Sequence, residues 1–226
     1  MIRKHAYALI LFARDPVMGR VKTRLSSHLD ERTILNLYKS FLDDSLEMIS
    51  KVTKVDHFCG VYPASVSGYF DTVASSRDVI IFPQEGVDLG ERMMSAMAKR
   101  FEEGYEKVVI IGADSPSLPV SYIERAFASE KDLIIGPSTD SGYYLIGANG
   151  HVHDVFTGVP WGTEKVLPET LARVKRIGAT LEALPVWYDV DRYEDLLFLK
   201  AHLDLLDACG MTASLASARF FKQWEF

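Results

Sequence analysis

Cysteine is scarce in this sequence. Cys59 and Cys209 are the only two in 226 residues, too few for a disulfide framework and outside any CxxC or similar metal-ligand spacing, so both are read as reduced thiols. None of the six histidines stands in an HExxH pattern, no GxSxG elbow occurs, and no cysteine and histidine pair as nucleophile and base. Hydrolase and metalloprotease chemistry therefore has no support. Positive charge is in deficit as well, since 25 Lys and Arg against 31 Asp and Glu give a formal net charge of −6. Duplex affinity comes largely from clustered Lys and Arg that neutralise phosphates, so this balance argues against a general nucleic-acid binder and leaves anionic ligands to a local basic patch. Long hydrophobic runs are missing too. The first apolar stretch, residues 6–13, falls far short of the ~20 residues that span a bilayer. It follows Arg3, Lys4 and His5 in the manner of a secretory signal, yet Arg14, Asp15 and Pro16 end it without a small-residue cleavage site. A cytoplasmic protein with no membrane span is expected.

What the sequence does contain is the makings of one folded unit. At 48% hydrophobic and 11% aromatic, 226 residues can bury a core without disulfide or metal staples. No repeat, low-complexity run or linker interrupts them, so residues 1–226 read as a single α/β domain with a tail over 207–226. Short apolar, β-rich runs alternate with amphipathic helical ones, the pattern of a mostly parallel sheet covered by helices. Strands are expected at 5–13, 58–62, 79–82, 107–112, 133–136, 143–147 and 181–190. Asp30 can cap a helix in which Ile34, Leu35, Tyr38, Phe41, Leu42, Leu46 and Ile49 recur at spacings of three and four. Further helices are expected at 89–101, 122–128, 164–176 and 194–206, with Pro168 marking a late start for the third of these.

The first strand empties into Arg14, Asp15, Pro16, Val17, Met18, Gly19, Arg20, Val21, Lys22, Thr23 and Arg24. Four cations and a glycine here make either a phosphate cradle or a solvated surface loop, and the position after a buried strand favours the cradle. The Walker A pattern, GxxxxGK followed by Ser or Thr, is absent. Asp114, directly after the strand KVVIIG, is either a ligand for a divalent cation bridged to a diphosphate or an ordinary turn starter before Ser115 and Pro116. Asp189 and Asp191 share one face if the last strand persists through Val190, and Asp191 can also cap the helix that follows. Two acidic strand ends beside one basic loop together resemble a metal-diphosphate site. Gln84, Asp88 and Gly90 in one turn-rich loop, and Asp140 and Gly142 in another, are suited to holding a base or sugar, or are simply tight turns. Trp161 either floors a pocket or is buried, and Thr163 can cap a helix.

In order along residues 10–199, FARDPVMGRVKTRL, QEGVDLGERM, IGADSPSL, GPSTDSGYYLIG, VPWGTEKVL and DVDRYEDL resemble the motifs of a family of small bacterial transferases. Its members are described as glycosyltransferases or nucleotide-diphospho-sugar transferase-like proteins. The resemblance implies a GT-A superfold, a mostly parallel mixed sheet with helices on both faces, shared with nucleotidyltransferases such as the molybdopterin and phospholactate guanylyltransferases. It implies that Arg14, Gly19, Lys22 and Arg24 sit at the nucleotide phosphates, that Asp114 binds the metal, and that Asp189 and Asp191 complete the metal site. Arg14 stands where lysine is usual, Ser141 replaces the first of two expected glycines, and Arg192 with Tyr193 replaces a more usual Thr and Pro.

The activity so implied is that of a Mg²⁺- or Mn²⁺-dependent transferase, with Lys22 and Asp114 as catalytic residues. Its partners would be a nucleotide sugar or NTP and a small-molecule acceptor, and a homodimer is left open. Both glycosyl transfer, which releases an NDP, and nucleotidyl transfer, which releases pyrophosphate, need electrostatic stabilisation of a leaving phosphate. Glycosyl transfer is the expectation, because no expected loop beyond the first carries a dense Lys and Arg cluster for a phosphorylated acceptor. Convergence of Lys165 or Arg192 in space would weaken that argument. The alternative from another class is a non-catalytic nucleotide-binding accessory protein, against which the intact Lys22, Asp114, Asp189 and Asp191 count.

Overall fold

The computed structural model describes residues 4–211 and 215–223. Its central strand, β1 (Tyr7–Arg14), is buried from Ala8 through Ala13, as an apolar run without alternation requires when helices cover both faces. On one side β1 pairs in parallel with β2 (Asp56–Tyr62), to which β3 (Ile80–Pro83) adds a parallel edge. On the other it pairs in parallel with β4 (Lys107–Gly112). Beyond β4 the antiparallel partners β5 (Leu133–Pro137) and β6 (Tyr143–Asn149) follow, with β6 against β4, and β7 (Leu181–Ala183) runs parallel to β5 at the far edge. In the order 3-2-1-4-6-5-7, β6 alone is reversed. Pro83, which has no N–H to give a ladder, is tolerated because β3 is an edge.

The helices are α1 (Glu31–Ser50), α2 (Tyr69–Ser76), α3 (Leu89–Glu102), α4 (Val120–Ala128), α5 (Val166–Ile177), α6 (Tyr193–Ala208) and α7 (Ala216–Gln223). Alternate strand residues feed two apolar layers. Leu9, Leu11, Val109 and Ile111 pack with Tyr38, Leu42 and Leu46 of α1 and Ile123 of α4. Ala8, Ile10, Val108 and Ile110 pack with Met93, Ala96 and Met97 of α3 and Val174 of α5. Full burial of each larger aliphatic side chain contributes about 1.5–3 kcal/mol. A third cluster joins Leu37 and Phe41 of α1 to Leu196, Leu199 and Leu203 of α6 and Phe221 of α7.

Local expectations hold where the capping chemistry is explicit. Asp30 accepts from the N–H groups of Arg32 and Thr33 at 3.0 Å each, and Pro168 falls in the first turn of α5, where its missing N–H costs nothing. The expected strand over 181–190 is corrected: β7 ends at Ala183, and a single bridge between Ser138 and Trp187 is the remaining pairing. Pro185 supplies the reason, since it cannot donate to a ladder. Asp189 and Asp191 therefore lie on irregular chain. Helices α2 and α7, eight residues each, were not expected; two turns are too short for their periodicity to stand out. Trp224, in the tail, lies outside the described residues. No helix among the described residues is long and apolar enough to cross a membrane.

With β2 on one side of β1 and β4 on the other, the connections from this region leave in opposite directions. A crevice opens at the carboxyl ends of the strands where the order reverses.

Candidate active site

That crevice is a cleft of about 1030 Å³ crossing the ends of β1 and β4. Lys22 stands just ahead of a short 3-10 turn (Thr23–Leu25) at φ 45° and ψ 40°. The left-handed conformation costs a non-glycine residue on the order of 1 kcal/mol. The Lys22 ammonium lies 2.5 Å from Asp114 Oδ1 and 2.8 Å from Asp191 Oδ1, with its side chain only 5% exposed. Arg24 Nη1 reaches the other oxygen of Asp191 at 3.2 Å. Two carboxylates thus share one buried cation. Burial alone would lower the Lys22 pKa, but Asp114 and Asp191 outweigh it and raise the ammonium above its ordinary value. Burial pushes the Asp191 carboxyl up, and Lys22, Arg24 and Arg192 more than reverse this, holding it below the usual range.

Backbone bonds explain why groups so distant in sequence meet. The N–H of Val190 donates to the carbonyl of Asp114 at 2.9 Å, which docks the segment after β7 onto the end of β4. Asp195, in the first turn of α6, accepts from the N–H groups of Asp191 and Arg192 at 3.0 and 2.7 Å. Asp195 thus secures the start of α6 while Asp191 faces Lys22, so of the two roles open to Asp191 the helix cap is not the one it fills. Asp189 goes elsewhere. Its Oδ1 accepts from the Ser115 hydroxyl at 2.6 Å, and burial, reinforced by Asp114, pushes its pKa up to about 7. The pair therefore does not act as two carboxylates on one strand face. Among the described residues, no three His, Cys, Asp or Glu side chains converge as a metal site.

Arg14, Lys22, Arg24, Gln84, Asp88, Asp114, Asp140, Gly142, Trp161, Asp189 and Asp191 all line the cleft. Tyr38 fixes the end of β1 by accepting from the Arg14 N–H at 2.9 Å and donating to its carbonyl at 3.2 Å. Gln84 Nε2 donates to the carbonyls of Gly60 at 2.8 Å and Ala13 at 3.3 Å, so its amide group ties β2 to β1. Asp88 caps α3 by accepting from the Glu91 N–H at 2.8 Å. Asp140 accepts from the Gly142 N–H at 2.9 Å and from the Ser138 hydroxyl, so it builds the tight turn between β5 and β6. Asp15, 1% exposed, accepts from the N–H groups of Val66 and Ser67 at 2.8 and 2.9 Å and so anchors the loop after β2.

Two of the expected residues stand apart from the wall. Gly19 adopts φ +72° in a turn facing Glu31, and Gly90 belongs to the first turn of α3, not to a loop. Gly90 matters through its missing side chain: a Cβ there would meet the Trp161 ring at 2.7 Å. Thr163 donates to the Pro160 carbonyl at 2.7 Å, ahead of α5 rather than at its cap position.

Sequence reasoning missed part of the cationic wall. Arg92 lines the cleft beside Arg14, Arg20, Lys22 and Arg24 of the first loop, as does Tyr62; of the two distant residues weighed for convergence, Arg192 lines it and Lys165 does not. The argument from a lack of cations outside the first loop is thereby weakened. Tyr62 ends a strand that the sequence does show, and strand ends point into the crevice; Arg92, on a helix, carries no comparable signal.

A family profile described as "Uncharacterized protein conserved in bacteria (DUF2064)" matches residues 51–163. A crystal structure from Desulfovibrio desulfuricans G20, provisionally named a nucleotide-diphospho-sugar transferase, shares 29% identity with a TM-score of 0.88 over 97% of this chain and 95% of that one. A nucleotidyl transferase from Methanothermobacter, at 16% identity and a TM-score of 0.57, covers 87% of this chain and 96% of its own. The 4-diphosphocytidyl-2C-methyl-D-erythritol synthase of Anaerococcus prevotii DSM 20548, at 10% identity and a TM-score of 0.55, covers 88% and 96%. No curated protein matches the sequence. The architecture is that of the nucleotide-diphospho-sugar transferase fold.

Proposed function

Because this chain belongs to the DUF2064 family, and because its cleft gathers a shared-cation cluster at the strand ends, we propose that it is a transferase acting on an activated nucleotide. The reading favoured is glycosyl transfer from an NDP-sugar to a small acceptor. The observation that carries the transferase reading is the Lys22 ammonium held between Asp114 and Asp191 at the point where the strand order reverses, and the glycosyl form draws its support from the 29%-identical neighbour named for nucleotide-diphospho-sugars.

The donor set fits a divalent cation. Two carboxylates that already share a positive charge are what Mg²⁺ or Mn²⁺ takes when phosphate oxygens and waters supply its other ligands. Asp114 and Asp191 would hold it, while Asp189, engaged with Ser115, supports the segment from behind. When bound, such an ion neutralises charge on the leaving diphosphate. With the carboxylates so engaged, Lys22 would be free to meet the phosphate oxygens, and Arg24 and Arg14, which line the same cleft, would add positive charge there. Preorganised cations stabilise the departing NDP as the acceptor oxygen attacks the anomeric carbon. Trp161, packed on Gly90, walls the sugar side of the cleft.

A second reading, nucleotidyl transfer with release of pyrophosphate, is favoured by Arg92 and Arg192, cations suited to an acceptor's own phosphate. Incubation with Mn²⁺ and a panel of NDP-sugars and NTPs separates the two. Slow release of NDP and free sugar supports glycosyl transfer, and pyrophosphate release from an NTP with a phosphorylated acceptor replaces it with the second reading. An absence of thermal stabilisation by any member of the panel, with or without Mn²⁺, contradicts both, since a ligand that binds only the native state raises its apparent stability.

A further inference from the structure

Arg92 is a cation of the cleft wall that is fixed in place without, among the described residues, being neutralised. Its backbone N–H donates to the carbonyl of Asp88 at 3.1 Å in the first turn of α3, which sets where the side chain starts. Its guanidinium carbon lies 4.0 Å from the centroid of the Tyr62 ring, so one face of the group is covered by an aromatic surface. Such stacking orients the planar fork and strips water from one side of it. Its Nε is buried with no hydrogen-bond partner, and among the described residues no carboxylate forms an ion pair with it. A buried donor left unmatched costs about 1–3 kcal/mol. Lys22 and Arg24, by contrast, have Asp114 and Asp191 within 3.2 Å.

The location separates this group from the phosphate end. Tyr62 closes β2 and lies in register with Arg14, on the far side of β1 from β4, whose end carries Asp114. The two cationic positions therefore flank β1 on opposite sides within one cleft.

We infer that Arg92, stacked on Tyr62, forms a subsite for a phosphate or carboxylate group of the second substrate, distinct from the position that takes the nucleotide's diphosphate. This rests on the transferase reading above and deepens it by making the acceptor anionic. The exposed edge of an arginine fork presents paired N–H donors that match two oxygens of either anion, a geometry that lysine cannot reproduce. The apolar support from Tyr62 keeps the fork in place while the cleft is empty, so an incoming anion has little ordering left to do.

The test follows the Arg92 Nε–H resonance by ¹⁵N NMR, identified by its loss in Arg92→Lys. Inorganic phosphate and, separately, malonate are titrated into the free protein and into protein saturated with Mn²⁺ and an NDP. The expected result is a saturable shift of this resonance under both conditions, with phosphate binding to the nucleotide-loaded protein weakened about tenfold in Arg92→Met, the loss of one charge-assisted contact. The stronger-binding anion of the two identifies the acceptor's group. If the NDP itself moves the resonance and phosphate then has no effect, Arg92 belongs to the nucleotide subsite and the inference is overturned. A resonance unmoved by either anion while the NDP binds overturns it as well. If no nucleotide binds at all, the transferase reading fails, and the titration of the free protein still decides whether Arg92 takes an anion. Arg92→Met and Arg92→Lys are checked for wild-type thermal unfolding, so that a lost signal is not a lost fold.

Discussion

The two sides of the cleft handle positive charge in opposite ways. Beside β4, Lys22, Arg24, Asp114 and Asp191 are closed on one another within 3.2 Å. Beside β2, Arg92 rests on an aromatic ring, and among the described residues no carboxylate forms an ion pair with it. On the proposed reading, a closed cluster would open for a ligand that offers both signs of charge, as a metal–diphosphate would: the cation would satisfy the carboxylates and the phosphates would satisfy Lys22. An open guanidinium waits for an anion alone. The difference teaches that one side holds its cations already paired and the other holds a cation oriented by an aromatic ring, so that on the proposed reading the first would exchange partners and the second would gain one.

The comparison breaks most severely at Asp191, the shared partner of Lys22 and Arg24. Asp191→Ala leaves the buried ammonium with Asp114 alone. The expected loss is on the order of 3 kcal/mol, at the low end of the range for a buried pair because Asp191 is itself 37% exposed. Denaturant titration measures that loss, and Mn²⁺-dependent nucleotide binding by calorimetry should disappear with it. Arg92 anion binding, read by its Nε–H resonance, should survive.

A smaller effect is expected where the walls meet. Gly90→Ala places a methyl 2.7 Å from the Trp161 ring, which must turn away. Overpacking of this kind costs about 1–3 kcal/mol. Thermal unfolding should show the loss, and adding Trp161→Ala should recover most of it; no recovery would mean that α3 itself, and not the ring, is strained.

Smallest is a pH effect well away from either side. His202 accepts or donates at Nδ1 with the Tyr188 hydroxyl at 2.7 Å among Trp187 and Phe198, and burial holds its pKa below the ordinary value. A base whose folded pKa is depressed contributes stability that is full above about 6.5 and is lost as pH falls through the window below it. His202→Gln should flatten that slope in thermal unfolding without altering nucleotide binding; an unchanged slope assigns the acid sensitivity elsewhere.

Much of the fold was legible because its signals are local. β1 and β4 are unbroken apolar runs, and a strand buried on both faces has to look that way. Asp30 and Pro168 announced the starts of α1 and α5 through capping chemistry. The basic loop and Asp114 could be nominated because strand ends are where such folds place ligands. What stayed hidden depends on long-range geometry. That Lys22 would face Asp191 follows from the Val190–Asp114 backbone bond and from Asp195, neither of which leaves a pattern in sequence. The i,i+2 argument for Asp189 and Asp191 failed because Pro185 interrupts the pairing, which returns only as the Ser138–Trp187 bridge, and the irregular chain beyond turns each carboxylate its own way. Arg92 was missed because which side of a helix faces a cleft is settled by how that helix packs on the sheet.

The central proposal is that Lys22, which lies between Asp114 and Asp191, holds the place that a divalent cation would take when the nucleotide binds. Mn²⁺ binding measured by electron paramagnetic resonance on nucleotide-free wild-type and Lys22→Met protein tests it directly. Removing the ammonium should tighten Mn²⁺ binding by about tenfold, the equivalent of roughly 1.4 kcal/mol, even as NDP binding weakens. Mn²⁺ affinity that is unchanged or lower in Lys22→Met would contradict the account.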